Sequence, residues 1–329
     1  MPKGMIFLKK RERNNKMSDY WQVWNFGFKK IFLIIIVFLL SLTLFKTSAL
    51  ATEYDGIWFL GFNVHKDLLS NQKIREIIFQ SINRKKISKE IVKSEVMPNS
   101  IIPPDMLGSY KSLNLDYDLK TAKETLKSLG FSMNDKRLKN LELLHTDGDI
   151  TQKIAKAIKK DLSSIGIGIK LVEVKYAEPE TWVSELSSGK YHMFLMGYKA
   201  NPFLSIFIGD TSSKIFHLMD CEKVPLEDKQ VLFSSYDDAI KNGFTPDTVN
   251  CHPKNTGKTE TEALLRPLFY SKGDANFTFY SNINIDNLLD QLAQIDSSMK
   301  EEQLKKIQEI NKRLSNDLPI IPLFYIEKL

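Results

Sequence analysis

From residue 57 onward the chain alternates short runs of consecutive apolar residues with longer stretches in which apolar residues recur every three or four positions. The first kind predicts buried strands and the second amphipathic helices. Ile57–Val64 reads as a buried strand. In Lys73–Ile87 the residues Ile74, Ile77, Ile78 and Ile82 share one helical face. Ser100–Gly108 contains Pro103-Pro104, which excludes both helix and ladder pairing, so it is a loop. Asp116–Gly130 is a helix with Gly130 placed to end it. Leu141–Thr146 is a strand. Asp149–Gly166 is a helix with Ile154, Ile158, Leu162 and Ile165 on one stripe and Gly166 at its close. Ile169–Tyr176 is a strand, Glu178–Gly189 a helix and Tyr191–Tyr198 a buried strand. Strands alternating with helices argue for an α/β fold. Core packing accounts for all of these apolar stripes.

The first fifty-one residues depart from this pattern. Lys29 and Lys30 precede an apolar run, Ile31–Phe45, and Lys46 stops it. At ~1.5 Å per residue the run reaches roughly 22 Å, short of the ~30 Å hydrocarbon core of a bilayer. Ala49-Leu50-Ala51 follows and fits the small-residue pattern of a cleavage site. Residues 1–51 are therefore expected to be a basic leader and cleaved signal peptide, with a membrane anchor through residues 31–45 as the alternative. Met17 is a candidate start. No Cys lies beside the end of the run, so a lipid anchor is unsupported. The protein is expected to be exported, to the periplasm or the cell surface.

Charge changes the picture little. The formal net charge is +6, but nine of the 46 Lys/Arg and only two of the 40 acidic residues lie in residues 1–51. The rest is close to neutral and offers no basic footprint for phosphate backbones, which argues against a nucleic-acid partner. An apolar share of 43% is ordinary for a globular protein, and 329 residues suffice for two domains.

The closing stretch Asn276–Tyr325 carries a Tyr280-x-Asn282-x-x-x-Asp286 turn, a helical run, a charged helix and the Pro-flanked strand Ile320–Tyr325. Earlier come Phe62-Asn63 at a strand end, then Arg75, Ile77 and Asn83-Arg84, then Tyr117-Asp118 with Ala122-Lys123. Ile154-Ala155 leads into Gly166-Ile167-Gly168-Ile169. In this order the motifs resemble lobe II of the extracellular solute-binding proteins of the peptide/nickel ABC importer type, family 5. The agreement of many weak motifs over one long stretch is what carries the resemblance. It implies an α/β fold, a single lobe of a type II periplasmic-binding-protein-like architecture. It also implies a non-enzymatic, exported receptor that binds a peptide or other small solute and delivers it to the membrane subunits of an ABC importer.

Two features set the chain apart from the family pattern. The leader joins lobe II directly, so lobe I is expected to be missing or supplied by a separate polypeptide, as in a split or remnant receptor. The family's Gly-Trp-x-Ala-Asp stretch, whose Asp pairs with a ligand amine, reads here Gly197-Tyr198-Lys199-Ala200-Asn201. An amide accepts a hydrogen bond from an ammonium but cannot neutralise it. Asn201 reads equally well as a turn residue before Pro202. The resemblance marks Tyr198, Asn201, Tyr280 and Asn282 as ligand-binding candidates.

The family pattern covers residues 52–208 and 262–329 and is interrupted by residues 209–255, with 256–261 as a linker. The interruption contains Phe216-His217, Cys221, Phe233-Ser234-Ser235, Ala239-Ile240, Gly243-Phe244-Thr245-Pro246 and Cys251-His252-Pro253. It resembles a small ββα Cys/His unit related to the zinc-binding domain of the Ada DNA-repair protein. Asp247 stands where that unit has a Cys, and Cys251 comes one residue late. Cys221 and Cys251 are the only cysteines in the chain. A unit this small commonly needs a staple. Three readings stay open: a Cys221–Cys251 disulfide, a zinc site of His217, Cys221 and Cys251 completed by Asp247 or His252, or two free thiols. A metal-binding or protein-interaction module on a lobe II scaffold, without transport, is the alternative to the solute-receptor reading.

Catalytic signatures are missing. Gly257-Lys258-Thr259 lacks the earlier Gly of a phosphate-binding loop, since His252 stands there. No His-Glu-x-x-His or Gly-x-Ser-x-Gly occurs. The chain is not expected to be an enzyme.

Overall fold

The computed structural model describes residues 53–328 apart from residues 95, 134, 201–206, 220, 234–235, 254–258 and 297 and the side chain of residue 237. The apolar run Ile31–Phe45, the Ala49-Leu50-Ala51 site and Asn201 lie outside the described residues. Among those described, no helix is long and apolar enough to cross a membrane.

In chain order the main body holds β1 (Tyr54–Phe62), α1 (Gln72–Ser81), α2 (Leu119–Ser128), β2 (Leu141–Thr146), α3 (Asp149–Ser163), β3 (Ile169–Val174), α4 (Pro179–Ser187) and β4 (Met193–Lys199). It ends with α5 (Glu260–Phe269), α6 (Ile283–Leu292), α7 (Lys300–Asp317) and β9 (Ile320–Glu327). Between β4 and α5 lie β5 (Phe207–Asp210), β6 (Ile215–Leu218), β7 (Gln230–Phe233), a one-turn helix (Tyr236–Lys241) and β8 (Thr245–Pro246).

The main sheet has the order β3-β2-β4-β1-β9. β2 runs parallel to β3 and β4, whereas β1 is antiparallel to β4 and β9. β1 lies inside the sheet between β4 and β9 and is buried on both faces, which is why Ile57–Phe62 is an apolar run rather than an alternation. Successive strand residues go to opposite cores. Phe59, Leu144, Phe194 and Met196 pack against Leu264 and Leu268 of α5, Leu289 of α6 and Ile307 and Ile310 of α7. Leu60, Leu143 and Leu195 pack on the other face against Ile74 and Ile78 of α1, Leu126 of α2 and Ile154 and Ile158 of α3. The result is a three-layer α/β/α lobe, as the alternation predicted.

The expected helix Lys73–Ile87 is shorter in the structure. Asn71 caps its start, accepting from Lys73 N at 2.9 Å. The helix stops at Ser81 because Ile82 is extended and Asn83 begins a new turn. Asn83 Oδ1 accepts from Lys86 N at 2.9 Å, and Asn83 N donates to Asp161 Oδ2 at 2.9 Å. A capping residue inside an apolar stripe thus restarts the helix without exposing Ile82 or Ile87, both of which stay buried. α5 begins at Glu260, within the stretch expected as linker. Thr259 caps it, and Glu262, three residues on, completes the sequence of a capping box.

The region expected as ββα carries four short strands in the order β7-β5-β6-β8, with β5 starting at Phe207. Its core is almost entirely aromatic. Phe207, Phe216, Phe233 and Phe244 are buried with Ala239, and Tyr236 packs against them. Phe207 meets Phe216 edge-on at 5.3 Å, and Phe233 meets Phe244 at 4.8 Å. Rings bury the most area per residue, which suits a unit with so few core positions.

Candidate functional site

β6 and β8 are parallel neighbours that pair Ile215 with Thr245 and Phe216 with Pro246. This pairing sets His217 of β6 beside Asp247, one residue past β8, and the turns that follow, the first closed by Cys221 N on Leu218 O at 3.1 Å, carry Cys221 and Cys251 to the same place. The donor atoms of these four residues all lie within 4.8 Å of one another. His217 Nδ1 is 2.9 Å from Asp247 Oδ2, and both sulfurs are 3.8 Å from His217 Nδ1. Cys251 Sγ is 3.9 Å from Asp247 Oδ2. Both cysteines are free. His252 is exposed, has a left-handed backbone, and is not part of the group.

Local hydrogen bonds fix these donors. Asp247 N donates to Phe216 O at 2.9 Å, tying the second turn to β6. Asp247 Oδ1 accepts from Val249 N at 2.8 Å and Asn250 N at 2.9 Å, and Oδ2 accepts from Asn250 Nδ2 at 2.8 Å. The Asn250 backbone and side chain, followed by Val249 and His217, hold the Asp247 carboxyl well below the usual carboxylate range. Burial, reinforced by the neighbouring Cys221 thiol, pushes the Cys251 thiol up to about 11.

Two sulfurs, an imidazole nitrogen and a carboxylate oxygen are a donor set suited to zinc. Zinc–sulfur bonds of ~2.3 Å and zinc–nitrogen or zinc–oxygen bonds of ~2.0–2.1 Å put tetrahedral donors about 3.3–3.8 Å apart. The two sulfur-to-imidazole separations of 3.8 Å lie at the upper edge of that cage, and the Cys251–Asp247 separation of 3.9 Å just beyond it. The shorter His217–Asp247 approach is a hydrogen bond that an ion would replace.

The second feature is a notch of about 450 Å³ beside the C-terminal ends of β2 and β4. Trp58, Tyr176 and Trp182 give it aromatic walls, and Gly197 and Lys199 lie along β4. Trp58 stacks on Phe324 at 5.5 Å and 10°. A Cβ at Gly197 would collide with the Trp58 indole, so glycine is what lets the ring lie across the strand. Lys199 Nζ is held 3.1 Å from Asp55 Oδ1 and 2.9 Å from the Glu327 carbonyl. A wider groove of about 720 Å³ between α6 and α7 is lined mostly by polar and charged residues and has no aromatic wall.

The ligand candidates sit differently from one another. Tyr198 packs against the α5–α7 core, whereas its neighbours Gly197 and Lys199 line the notch. Burial pushes its phenol up. Tyr280 is buried with its hydroxyl on Asp317 Oδ2. Asn282 caps α6 through Asn284 N at 3.0 Å and donates to Asp317 Oδ2 and Tyr280 Oη, both at 3.1 Å. Their polar groups hold the turn against the end of α7. Trp58, Tyr176 and Trp182 were not singled out in the sequence. The available signals are Tyr176 at a strand end and Trp182 in the first turn of the short helix Pro179–Ser187.

The family model for the middle part of bacterial extracellular solute-binding proteins, family 5, matches residues 40–209. The oligopeptide-binding protein OppA of Bacillus subtilis is 30% identical over 165 residues, covering 47% of this chain and 30% of that protein. The structure of HbpA2 from Haemophilus parasuis aligns with a TM-score of 0.58 at 17% identity, over 84% of this chain and 43% of that one. The oligopeptide-binding protein AppA of B. subtilis, solved with a nonapeptide, aligns with a TM-score of 0.57 at 15% identity, over 84% and 45%. The chain thus spans less than half the length of these relatives, and the structural likeness establishes a type II solute-binding-protein fold.

Proposed function

The chain belongs to the bacterial extracellular solute-binding proteins, family 5, and on that footing we propose that it supplies one wall of an exported receptor for an oligopeptide-like solute. The observation that carries this reading is the aromatic notch of Trp58, Tyr176 and Trp182 at the strand ends. Flat apolar walls suit a peptide side chain, and nearby backbone ends suit its main chain. The opposite wall would come from a first lobe, and the closed pair would deliver its solute to ABC importer membrane subunits.

Calorimetry with oligopeptides tests this reading. The chain alone should bind weakly, because cleft closure between two lobes normally buries most of a ligand. Asn201→Asp should tighten binding of free-amine peptides by about ten- to a hundredfold, the worth of a charge-assisted pair. Trp182→Ala should abolish binding. A Kd below about a micromolar for the chain alone would make the single lobe a complete receptor. Unchanged binding in Trp182→Ala would remove the notch from the site.

A second reading rests on the four-donor cluster. His217, Cys221, Asp247 and Cys251 would hold zinc as a closed structural site, and the module would then serve metal-dependent folding or protein contact. Metal analysis of the purified chain, before and after a chelator, tests it.

A further inference from the structure

Building on the zinc reading, we infer that Cys221 and Cys251 have two mutually exclusive states, co-ligands of one zinc ion or partners in a disulfide, so that thiol oxidation expels the metal. Both thiols are free, and their sulfurs lie within the 4.8 Å span of the cluster, each 3.8 Å from the same ring nitrogen. Closing to a bond of ~2.05 Å asks for a shift that turn backbone can supply, since neither residue is in a helix or strand. Both are partly exposed, so an oxidant can reach them. No third cysteine competes for either.

The ligand count makes the states exclusive. A disulfide leaves only His217 and Asp247, which are 2.9 Å apart but cannot close a four-coordinate shell. The oxidant is a small-molecule disulfide. One thiolate attacks a sulfur of that disulfide, releasing one thiolate and leaving a mixed disulfide on the protein. The second protein thiolate then displaces the other half. The Cys221–Cys251 bond forms, the oxidant's sulfur–sulfur bond breaks, two electrons pass to it, and it leaves as two thiolates that take their protons from water. The zinc ion departs. An oxidising compartment, which export would provide, makes both states reachable.

The test treats the zinc-loaded chain with oxidised glutathione and follows zinc with a chromophoric chelator, thiols by titration and the disulfide by intact mass. We expect one zinc released per disulfide formed. Zinc affinity should fall more than about a hundredfold, beyond what losing an outer-shell partner alone costs, and be restored by dithiothreitol. Retention of zinc after the disulfide has formed overturns the switch and leaves the zinc site standing. So does failure of the metal-stripped chain to close the disulfide under excess oxidant. A reduced chain that never takes up zinc overturns the zinc reading itself, and the switch falls with it.

Discussion

His217, in β6, and Asp247, one residue past β8, meet Nδ1 to Oδ2 at 2.9 Å. The pair matters because each partner is followed four residues later by a cysteine in a turn, and those turns bring both sulfurs to 3.8 Å from His217 Nδ1. The first prediction follows from that geometry. Asp247→Ala should weaken zinc binding by more than about tenfold, and His252→Ala should leave it unchanged. Competition against a chelator of known affinity measures both, and equal losses would put His252 in the ligand set.

Gly197→Ala should destabilise the lobe by about 1–3 kcal/mol, the usual cost of overpacking, because the new methyl meets the Trp58 indole. Tryptophan fluorescence should shift as the ring leaves its stack on Phe324. Thermal unfolding with an unchanged midpoint would show that the indole moves aside freely.

Phe216 is fully buried and touches both Phe207 and Tyr236 edge-on. Phe216→Ala removes the centre of a core with few members, at a cost of about 3–5 kcal/mol. Hydrogen exchange should rise across residues 207–251 while β1 and β4 stay protected. Uniform loss of protection would mean that the two sheets unfold as one unit.

Tyr280→Phe should cost about 1–2 kcal/mol through the lost hydroxyl bond to the Asp317 carboxylate, which keeps only its Asn282 donor on that oxygen, and leave solute affinity unchanged. Parallel unfolding and calorimetry decide between a structural and a ligand role, and a loss of affinity without loss of stability would return Tyr280 to the binding site.

Arg137 holds the Asp135 carboxyl down to about 2, chiefly through its side-chain hydrogen bond. The folded value lies below the unfolded one of about 4. The contribution is therefore present above about pH 4 and is lost as pH falls toward 2. Asp135→Asn should flatten that part of the stability curve, seen as a smaller drop in Tm between those pH values. An identical acid slope in both proteins would show that the pair adds nothing to folding.

Local pattern sufficed for much of this protein. Strand β2 lies where Leu141–Thr146 alternates into two cores, α3 where its isoleucine stripe repeats, and Gly130 and Gly166 end their helices with left-handed backbone. Periodicity reports which face of an element is buried, and that is decided within a few residues. The cysteines and histidines were equally visible as a cluster in sequence. Tertiary structure alone chose Asp247 over His252, because that choice depends on the register between β6 and β8, and register is a property of paired strands. It also assembled the notch from Trp58, Tyr176, Trp182 and Gly197, which come from two strands, a loop and a helix and share no periodicity. The break at Ile82 belongs to the same class. The apolar stripe runs through it unbroken, and only the Asn83 cap and its Asp161 partner, seventy-eight residues away, turn the chain.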